Sequence, residues 1–85
     1  MNVSKAEQRT LHVLAQGGRI VIERNDQRKL TKVSCVTREG WHLGGCTIEL
    51  FKKLRRRRFI RSTGGGPYRI TRQGLVTVRS QLDNR

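Results

Sequence analysis

The stretch from residue 47 to residue 70 constrains the fold more than any other part of the chain. It reads TIELFKKLRRRRFIRSTGGGPYRI. At about 100° per residue, its first half places apolar side chains on one arc of a helix and cations on the other. After residue 58 the pattern becomes that of strands, with residues 59–61 and 67–70 on either side of three glycines. This order predicts a basic helix that ends near Arg55 and is followed by a glycine-tipped β-hairpin.

A basic helix followed directly by a hairpin is the second half of a winged helix-turn-helix. In that arrangement the helix can enter a groove of DNA and the hairpin, or wing, can touch its backbone. The first half of such a domain also needs a helix, and the N-terminal residues predict one. Ser4 and Glu7 have the spacing of a capping box, and Gly17 and Gly18 supply a left-handed stop.

Two β-branched runs, residues 19–24 and 29–36, are separated by the turn-forming residues 25–28 and predict an antiparallel hairpin. Near the C-terminus, Thr71 is placed to cap a third helix, in which Leu75, Val78 and Leu82 follow at helical spacing. The sequence therefore predicts an α+β, winged-helix-like small single domain over residues 1–85. Its parts are three helices, an N-terminal β-hairpin and a C-terminal wing hairpin.

Positive charge is concentrated in the C-terminal half of the chain. The net charge is +13, of which residues 50–85 carry +10 and residues 1–49 carry +3. Such a field attracts nucleic acid, an acidic protein face or anionic lipid. No apolar run reaches the roughly 18 residues of a membrane span. The first ten residues lack the apolar core of a signal peptide, so we expect a cytoplasmic protein without a membrane partner.

The most concentrated charge is a run of seven cations in the ten residues 52–61, with no acid among them. Arginine suits phosphate binding because its planar fork can donate two hydrogen bonds to paired oxygens. The alternative is a solvated helix face, or a surface that docks on an acidic protein. Nothing in the run specifies base readout. The candidate residues for binding a partner or nucleic acid are Lys52, Lys53, Arg55, Arg56, Arg57, Arg58, Arg61 and Arg69.

The residues that could carry catalysis or bind a metal lack the required spacing. Cys35, Cys46, His12 and His42 include neither the close cysteine pair nor the close histidine pair of a zinc site. Cys46 lies near His42 in sequence, but no third group is placed to orient the imidazole, so small core thiols are the preferred interpretation. We expect no enzyme, no metal and no cofactor.

Two further features are interpreted as parts of the scaffold. The run of three glycines from Gly64 lacks the Lys-Ser/Thr ending of a phosphate-cradling loop, so it is interpreted as the wing tip. Trp41 is predicted to anchor the core beside Leu43, with base stacking as the alternative role.

Five strings along the chain resemble one known family. They are EQRTLHVLAQGGRI near the start, TREG in the centre, FKKL in the basic helix, PYRI in the wing and DNR at the end. Together they resemble the bacterial YjhX family, described as toxins of toxin–antitoxin pairs that inhibit DNA topoisomerase I. The resemblance implies a cytoplasmic inhibitor, a cognate antitoxin and topoisomerase I as the target, but it carries over no individual site residue.

The residues and the resemblance agree on the class of partner and differ on mechanism. The resemblance implies a toxin that inhibits topoisomerase I by non-catalytic binding through the same basic surface. The charge of that surface predicts double-stranded DNA as a further partner. The residues alone favour a winged-helix DNA-binding transcriptional regulator, which is the alternative function. A non-catalytic module that associates with ribosomes or RNA is the third hypothesis.

Overall fold

Three helices are separated by two groups of consecutive strands along the chain. The computed structural model describes residues 3–83, and their side chains as far as residue 80. The order is α1 (Lys5–Ala15), β1 (Arg19–Arg24), β2 (Leu30–Val36), β3 (His42–Leu43), α2 (Ile48–Arg56), β4 (Ile60–Ser62), β5 (Tyr68–Ile70) and α3 (Arg72–Asp83). The predicted α+β class is therefore confirmed, with its three helices and two hairpins. The predicted packing role of Leu82 lies outside the described side chains.

The helix starts follow from the capping residues that the sequence contains. Ser4 Oγ accepts a hydrogen bond from the backbone N–H of Glu7 at 3.1 Å, and Glu7 Oε1 accepts one from the N–H of Ser4 at 3.2 Å. This is the predicted capping box. The hydroxyl of Thr47 caps α2 through the N–H of Leu50. Gly17 ends α1 with a positive φ of 103°, as predicted.

The two predicted hairpins join into one antiparallel sheet. Its strand order is β3-β2-β1-β5-β4, so β1 is the central strand. Ile20 of β1 pairs with Cys35 of β2 on one side and with Tyr68 of β5 on the other. The sequence predicts each hairpin separately, because each is local, but the β1–β5 pairing joins residues almost fifty positions apart.

The core lies on one face of this sheet, where the helices cover it. The ring of Phe51 in α2 meets the edge of Tyr68 in β5, with centroids 4.9 Å apart. Since Ile20 and Tyr68 point to this side, their chain neighbours point to the other, because side chains alternate along a strand. The buried core residues are Leu11, Leu14, Ile20, Cys35, Leu50, Phe51, Leu54, Phe59, Ile60 and Val78.

Helix α2 and the hairpin β4–β5 keep the winged-helix order of a basic helix followed by a wing. The segment that precedes α2 is different. Between β1 and α2 the described residues 25–47 form strands β2 and β3 with their turns and contain no helix. A helix-turn-helix pair is therefore not formed in front of α2, and the sheet supports α2 instead.

The start of α3 fixes the connection between α2 and β4. Thr71 Oγ1 donates to the carbonyl oxygen of Arg58 at 2.7 Å, and Gln73 Nε2 donates to that of Arg57 at 3.1 Å. Gly74 makes this approach possible. A Cβ atom on Gly74 would lie 2.6 Å from the carbonyl oxygen of Phe59 and 2.7 Å from Cγ1 of Ile70. The connection that carries Arg57 and Arg58 is thus held against α3.

The prediction that Trp41 anchors the core is wrong. Its side chain is 72% exposed. Thr37 closes the loop onto Trp41 through its backbone N–H, which donates to the Trp41 carbonyl, and through its hydroxyl, which accepts from the Trp41 N–H. This closed loop holds the indole away from the helices, while Phe51 and Phe59 fill the core that a tryptophan could have occupied.

Among the described residues, none of the helices is both long enough and apolar enough to cross a membrane.

Candidate nucleic-acid interface

Helix α2 has four exposed cations, three of which lie on the arc opposite its buried side chains. Leu50, Phe51 and Leu54 are buried, so the opposite side of the helix points outward. Glu49 lies on the same outward arc in the first turn, where a negative charge suits the helix dipole. From residue 50 to residue 82 the sequence contains no other acid. We call the exposed cations of this arc, Lys52, Lys53 and Arg56, the helix face.

Arg55 lies at the border of the helix face. It is exposed, and its guanidinium carbon lies 5.2 Å from the centroid of the Phe51 ring. Guanidinium groups are attracted to the face of an aromatic ring at this distance. Arg55 follows Phe51 by four residues, so helical spacing predicts a contact between the two side chains. The structure contains that contact. Its side chain therefore has a contact within the domain while its charge remains accessible.

Arg57 does not belong to the exposed arc on which the sequence places it. The helix ends at Arg56, and Arg57 follows as its half-buried C-cap. Its Nη1 lies 3.6 Å from Oε2 of Glu7, a side chain that is 3% exposed. Its guanidinium also lies 5.9 Å from the Phe59 ring centroid. Because a buried carboxylate needs a compensating charge, Arg57 contributes to the scaffold.

Arg58 adopts a conformation that L-residues rarely adopt. Its φ is +62°, in the left-handed region, and its side chain is exposed. The residue after a helix often adopts this conformation, and glycine is the usual choice because it lacks a Cβ atom. Arginine in this position costs stability, and such strained residues cluster at functional sites.

Arg61 and Arg69 lie on the side of the sheet that faces away from the helices. They form a directly opposed cross-strand pair between β4 and β5, and both are exposed. Their neighbours Ile60 and Tyr68 point into the core. The eight predicted residues therefore do not form one surface. The structure separates these two from the helix face by the thickness of the domain.

Sequence reasoning missed Arg19, which joins Arg61 and Arg69. Ile20 pairs with Tyr68, so its neighbour Arg19 lies beside Arg69 on the outer side. No local signal indicates this position, because it depends on the long-range pairing of β1 with β5. We call Arg19, Arg61 and Arg69 the sheet face.

The only acid of β1, Glu23, also points to the outer side, but it is already paired. Its Oε2 lies 3.8 Å from Nζ of Lys32 on the neighbouring strand. Glu23 is four residues from Arg19, roughly 13 Å along a strand. The three arginines of the sheet face are therefore not neutralised by it.

The cysteine thiols are not activated. Burial raises the pKa of Cys35, and burial together with the Cys35 thiol raises the pKa of Cys46 to about 12. Near neutral pH both side chains are therefore protonated thiols, which are weak nucleophiles. Within residues 3–83 no group of three or more His, Cys, Asp or Glu side chains is arranged to hold a metal ion.

An open depression of about 470 Å³ lies between the end of α1 and the β2–β3 turn. It is lined by Val13, Gln16, Thr37, Arg38 and Glu39. This lining brings one cation and one acid to a shallow surface. Unlike the helix face and the sheet face, the depression does not concentrate positive charge.

Comparison with known proteins places the whole chain in one group. The sequence profile of the YjhX toxin family, described as a candidate toxin of a bacterial toxin–antitoxin pair, matches residues 1–85. A UPF0386 protein of Rhodospirillum centenum is 61% identical over 85 residues, which cover 100% of this chain and 99% of the relative. UPF0386 proteins of Parvibaculum lavamentivorans and Caulobacter vibrioides are 60% and 58% identical over the whole chain, covering 100% and 93% of those relatives. No solved structure gives a significant match.

Proposed function

We propose that this chain inhibits DNA topoisomerase I, the target that its sequence resemblance implies. The chain belongs to the YjhX toxin family, whose members are described as candidate toxins of bacterial toxin–antitoxin pairs. Inhibition is non-catalytic and takes place in the cytoplasm, where chromosomal DNA is handled. A toxin–antitoxin pair also contains a cognate antitoxin, which is a partner of this chain.

The observation that carries the proposal is the excess of positive charge on the outward arc of α2, where three cations of the helix face accompany one acid, Glu49. Lys52, Lys53 and Arg56 are exposed on a helix that is anchored by three buried apolar residues. A rigid row of cations suits the phosphate backbone of duplex DNA, because each neutralised phosphate releases bound counterions. The same row also suits an acidic surface of a partner protein.

Two routes lead from this surface to inhibition. In the first, the helix face docks on an acidic surface of topoisomerase I that DNA does not occupy, and the bound enzyme cannot relax DNA. In the second, it covers the DNA segment on which the enzyme acts. The first route makes inhibition specific to one enzyme, whereas the second inhibits any enzyme that needs the same DNA.

A plasmid relaxation assay tests the proposal and separates the two routes. Purified topoisomerase I acts on negatively supercoiled plasmid while the protein is titrated in, and DNA gyrase serves as the control enzyme. We expect relaxation to be inhibited. Enzyme docking predicts that gyrase stays active and that excess plasmid does not restore relaxation. DNA coverage predicts that gyrase is also inhibited and that excess plasmid restores relaxation. Unchanged relaxation at saturating protein would contradict the proposal.

A winged-helix transcriptional regulator is the second candidate. The order of a basic helix followed directly by the β4–β5 wing favours it. A regulator distinguishes its operator from other DNA by base contacts, which backbone contacts alone do not provide. Selection of binding sites from a random duplex library is the test. An enriched motif would favour the regulator, and its absence together with inhibited relaxation would favour the toxin.

A further inference from the structure

We infer that the sheet face is a second binding surface for duplex DNA, so that one molecule bridges two duplex segments. The inference rests on the proposed function, because it needs the helix face to bind the first segment. It adds a second surface, formed by Arg19, Arg61 and Arg69 on the opposite side of the domain.

The arrangement of these arginines is unfavourable for the isolated fold. Arg61 and Arg69 are directly opposed across β4 and β5, and like charges in this position repel each other. Arg19 follows on β1, beside Arg69. Edge strands often carry a charge that prevents sheet-to-sheet association, which could account for Arg61 on the edge strand β4. It does not account for Arg69 and Arg19, because β5 and β1 are interior strands.

The charge identifies the occupant of the sheet face. Arg61 and Arg69 are exposed and Arg19 is half-buried. Adjacent guanidinium groups match the repeated phosphates of a nucleic-acid backbone. The surface is a pleated sheet without an exposed aromatic ring in β1, β4 or β5, since Tyr68 points into the core. Single-stranded nucleic acid is usually held by stacking on such rings, so the backbone of a duplex fits better.

One duplex does not reach both faces. The helix face and the sheet face lie on opposite sides of a domain that is 24 Å across its shortest axis. DNA has a persistence length of about 50 nm, and wrapping it around so small a domain would require a sharp bend. A second duplex segment can instead approach the sheet face without bending.

A two-colour capture assay tests the inference with the full chain. One duplex is biotinylated and held on beads, and a second, fluorescent duplex of the same sequence stays in solution. Binding to a single duplex is measured separately by gel shift. We expect the protein to retain the fluorescent duplex on the beads. We also expect less retention at large protein excess, where each duplex is saturated by its own protein molecules.

Three variants assign the two faces. Arg19→Gln/Arg61→Gln/Arg69→Gln should still shift a single duplex but retain roughly tenfold less fluorescent DNA. The salt slope, which is the slope of the logarithm of the binding constant against the logarithm of salt concentration, should fall by about 2 to 3 for retention of the second duplex. Lys52→Gln/Lys53→Gln/Arg56→Gln should lose retention to a similar extent. Lys5→Gln/Arg9→Gln/Lys29→Gln removes the same charge outside both faces and should retain the second duplex. Circular dichroism checks folding, and the single variant Arg69→Gln tests the sheet face if the triple variant unfolds.

The outcomes separate this inference from the proposed function. Single-duplex binding without retention overturns bridging and leaves the helix face intact. Retention that survives in the sheet-face variant and fails in the helix-face variant also overturns it, because a dimer would then be bridging through two helix faces. A wild-type protein that binds no duplex overturns the DNA contact of the helix face and bridging together.

Discussion

Arg57 and Glu7 show how one ion pair separates a structural cation from its exposed neighbours. Glu7 is 2% exposed, and within the described part of the chain its Oε2 accepts no hydrogen bond. Its Oε1 serves the capping box of α1, whereas Oε2 faces Nη1 of Arg57 at 3.6 Å. The pair therefore links the start of α1 to the end of α2. The side chain of Arg57 is 31% exposed, so its guanidinium remains in contact with solvent.

We expect Arg57→Gln to lower the free energy of unfolding by about 1 to 3 kcal/mol, because it leaves the Glu7 carboxylate buried without a compensating charge. The partial exposure of Arg57 keeps the loss below that of a fully buried pair. The measurement is urea denaturation. Arg56→Gln is the matched control, and as an exposed substitution it should change stability by less than about 0.5 kcal/mol. Equal stability of the two variants would contradict the structural role of Arg57.

The raised pKa of Cys46 predicts that the folded domain loses stability at alkaline pH. The unfolded chain releases the thiol proton near an ordinary pKa of 9.0, whereas burial and the Cys35 thiol raise the folded pKa of Cys46 to about 12. Between these values the unfolded state binds fewer protons than the folded state, so stability falls as pH rises. The contribution is fully present below pH 9.0.

Cys46→Ala should therefore lose less stability than the wild type when denaturation is compared at about pH 8 and about pH 10.5. All other side chains are the same in both proteins, so the difference between the two profiles reports the thiol. Parallel profiles would show that Cys46 does not contribute to the pH dependence.

The left-handed conformation of Arg58 gives a prediction that separates backbone strain from DNA binding. Arg58→Gly removes the cost of a left-handed arginine and should stabilise the domain by about 1 kcal/mol. Arg58→Ala removes the same charge and keeps the strained conformation, so it should not stabilise to that extent. Both variants should reduce the salt slope of DNA binding by about 0.9 if the Arg58 side chain contacts a phosphate. Denaturation and salt-dependent gel shifts measure the two effects. Unchanged slopes would leave Arg58 without a role in binding.

The close approach of α3 to β4 gives a prediction for Gly74. A Cβ atom at this position would be 2.6 Å from the carbonyl oxygen of Phe59, and backbone cannot move aside as a flexible side chain can. Gly74→Ala should displace α3 and destabilise the domain by about 1 to 3 kcal/mol. Gly44→Ala is the control, because a Cβ on Gly44 would meet nothing within 4 Å. Similar melting temperatures would contradict this packing.

Local sequence signals predict the helices and hairpins, but they do not predict contacts between residues that are distant in sequence. The capping box of Ser4 and Glu7, the glycine stop of α1 and the amphipathic α2 are all specified within a few residues, and all are confirmed. The pairing of Arg57 with Glu7 joins residues fifty positions apart, so periodicity placed Arg57 on the exposed arc. The burial expected for Trp41 came from its size and apolarity, which do not reveal that Thr37 closes its loop outward.

The distribution of charge over the whole molecule follows from strand pairing. A sequence run suggested one basic surface, but strand alternation points Arg61 and Arg69 away from α2, and the β1–β5 pairing adds Arg19 to them. The helix face thus consists of three residues rather than seven. Its contribution can be tested without disturbing either the Glu7–Arg57 pair or the sheet face.

The triple variant Lys52→Gln/Lys53→Gln/Arg56→Gln makes that test. Neutralising exposed, like-charged neighbours on one helix should leave stability within about 0.5 kcal/mol of the wild type. Inhibition of topoisomerase I and retention on DNA should both fall, with the salt slope reduced by about 2 to 3. Adding Arg57→Gln to this variant should lower stability without a comparable further loss of inhibition, because Arg57 acts within the scaffold.

Phe51→Ala is the opposite control for the same helix. It removes a fully buried ring that contacts Tyr68 and Arg55. The expected cost of about 3 to 5 kcal/mol is a large share of the stability of so small a domain. It should therefore abolish inhibition by unfolding the protein, which circular dichroism detects.

If the folded triple variant inhibits relaxation at the wild-type concentration, the helix face is only a solvated surface. The exposed loop around Trp41 would then be the next surface to test for contact with the enzyme.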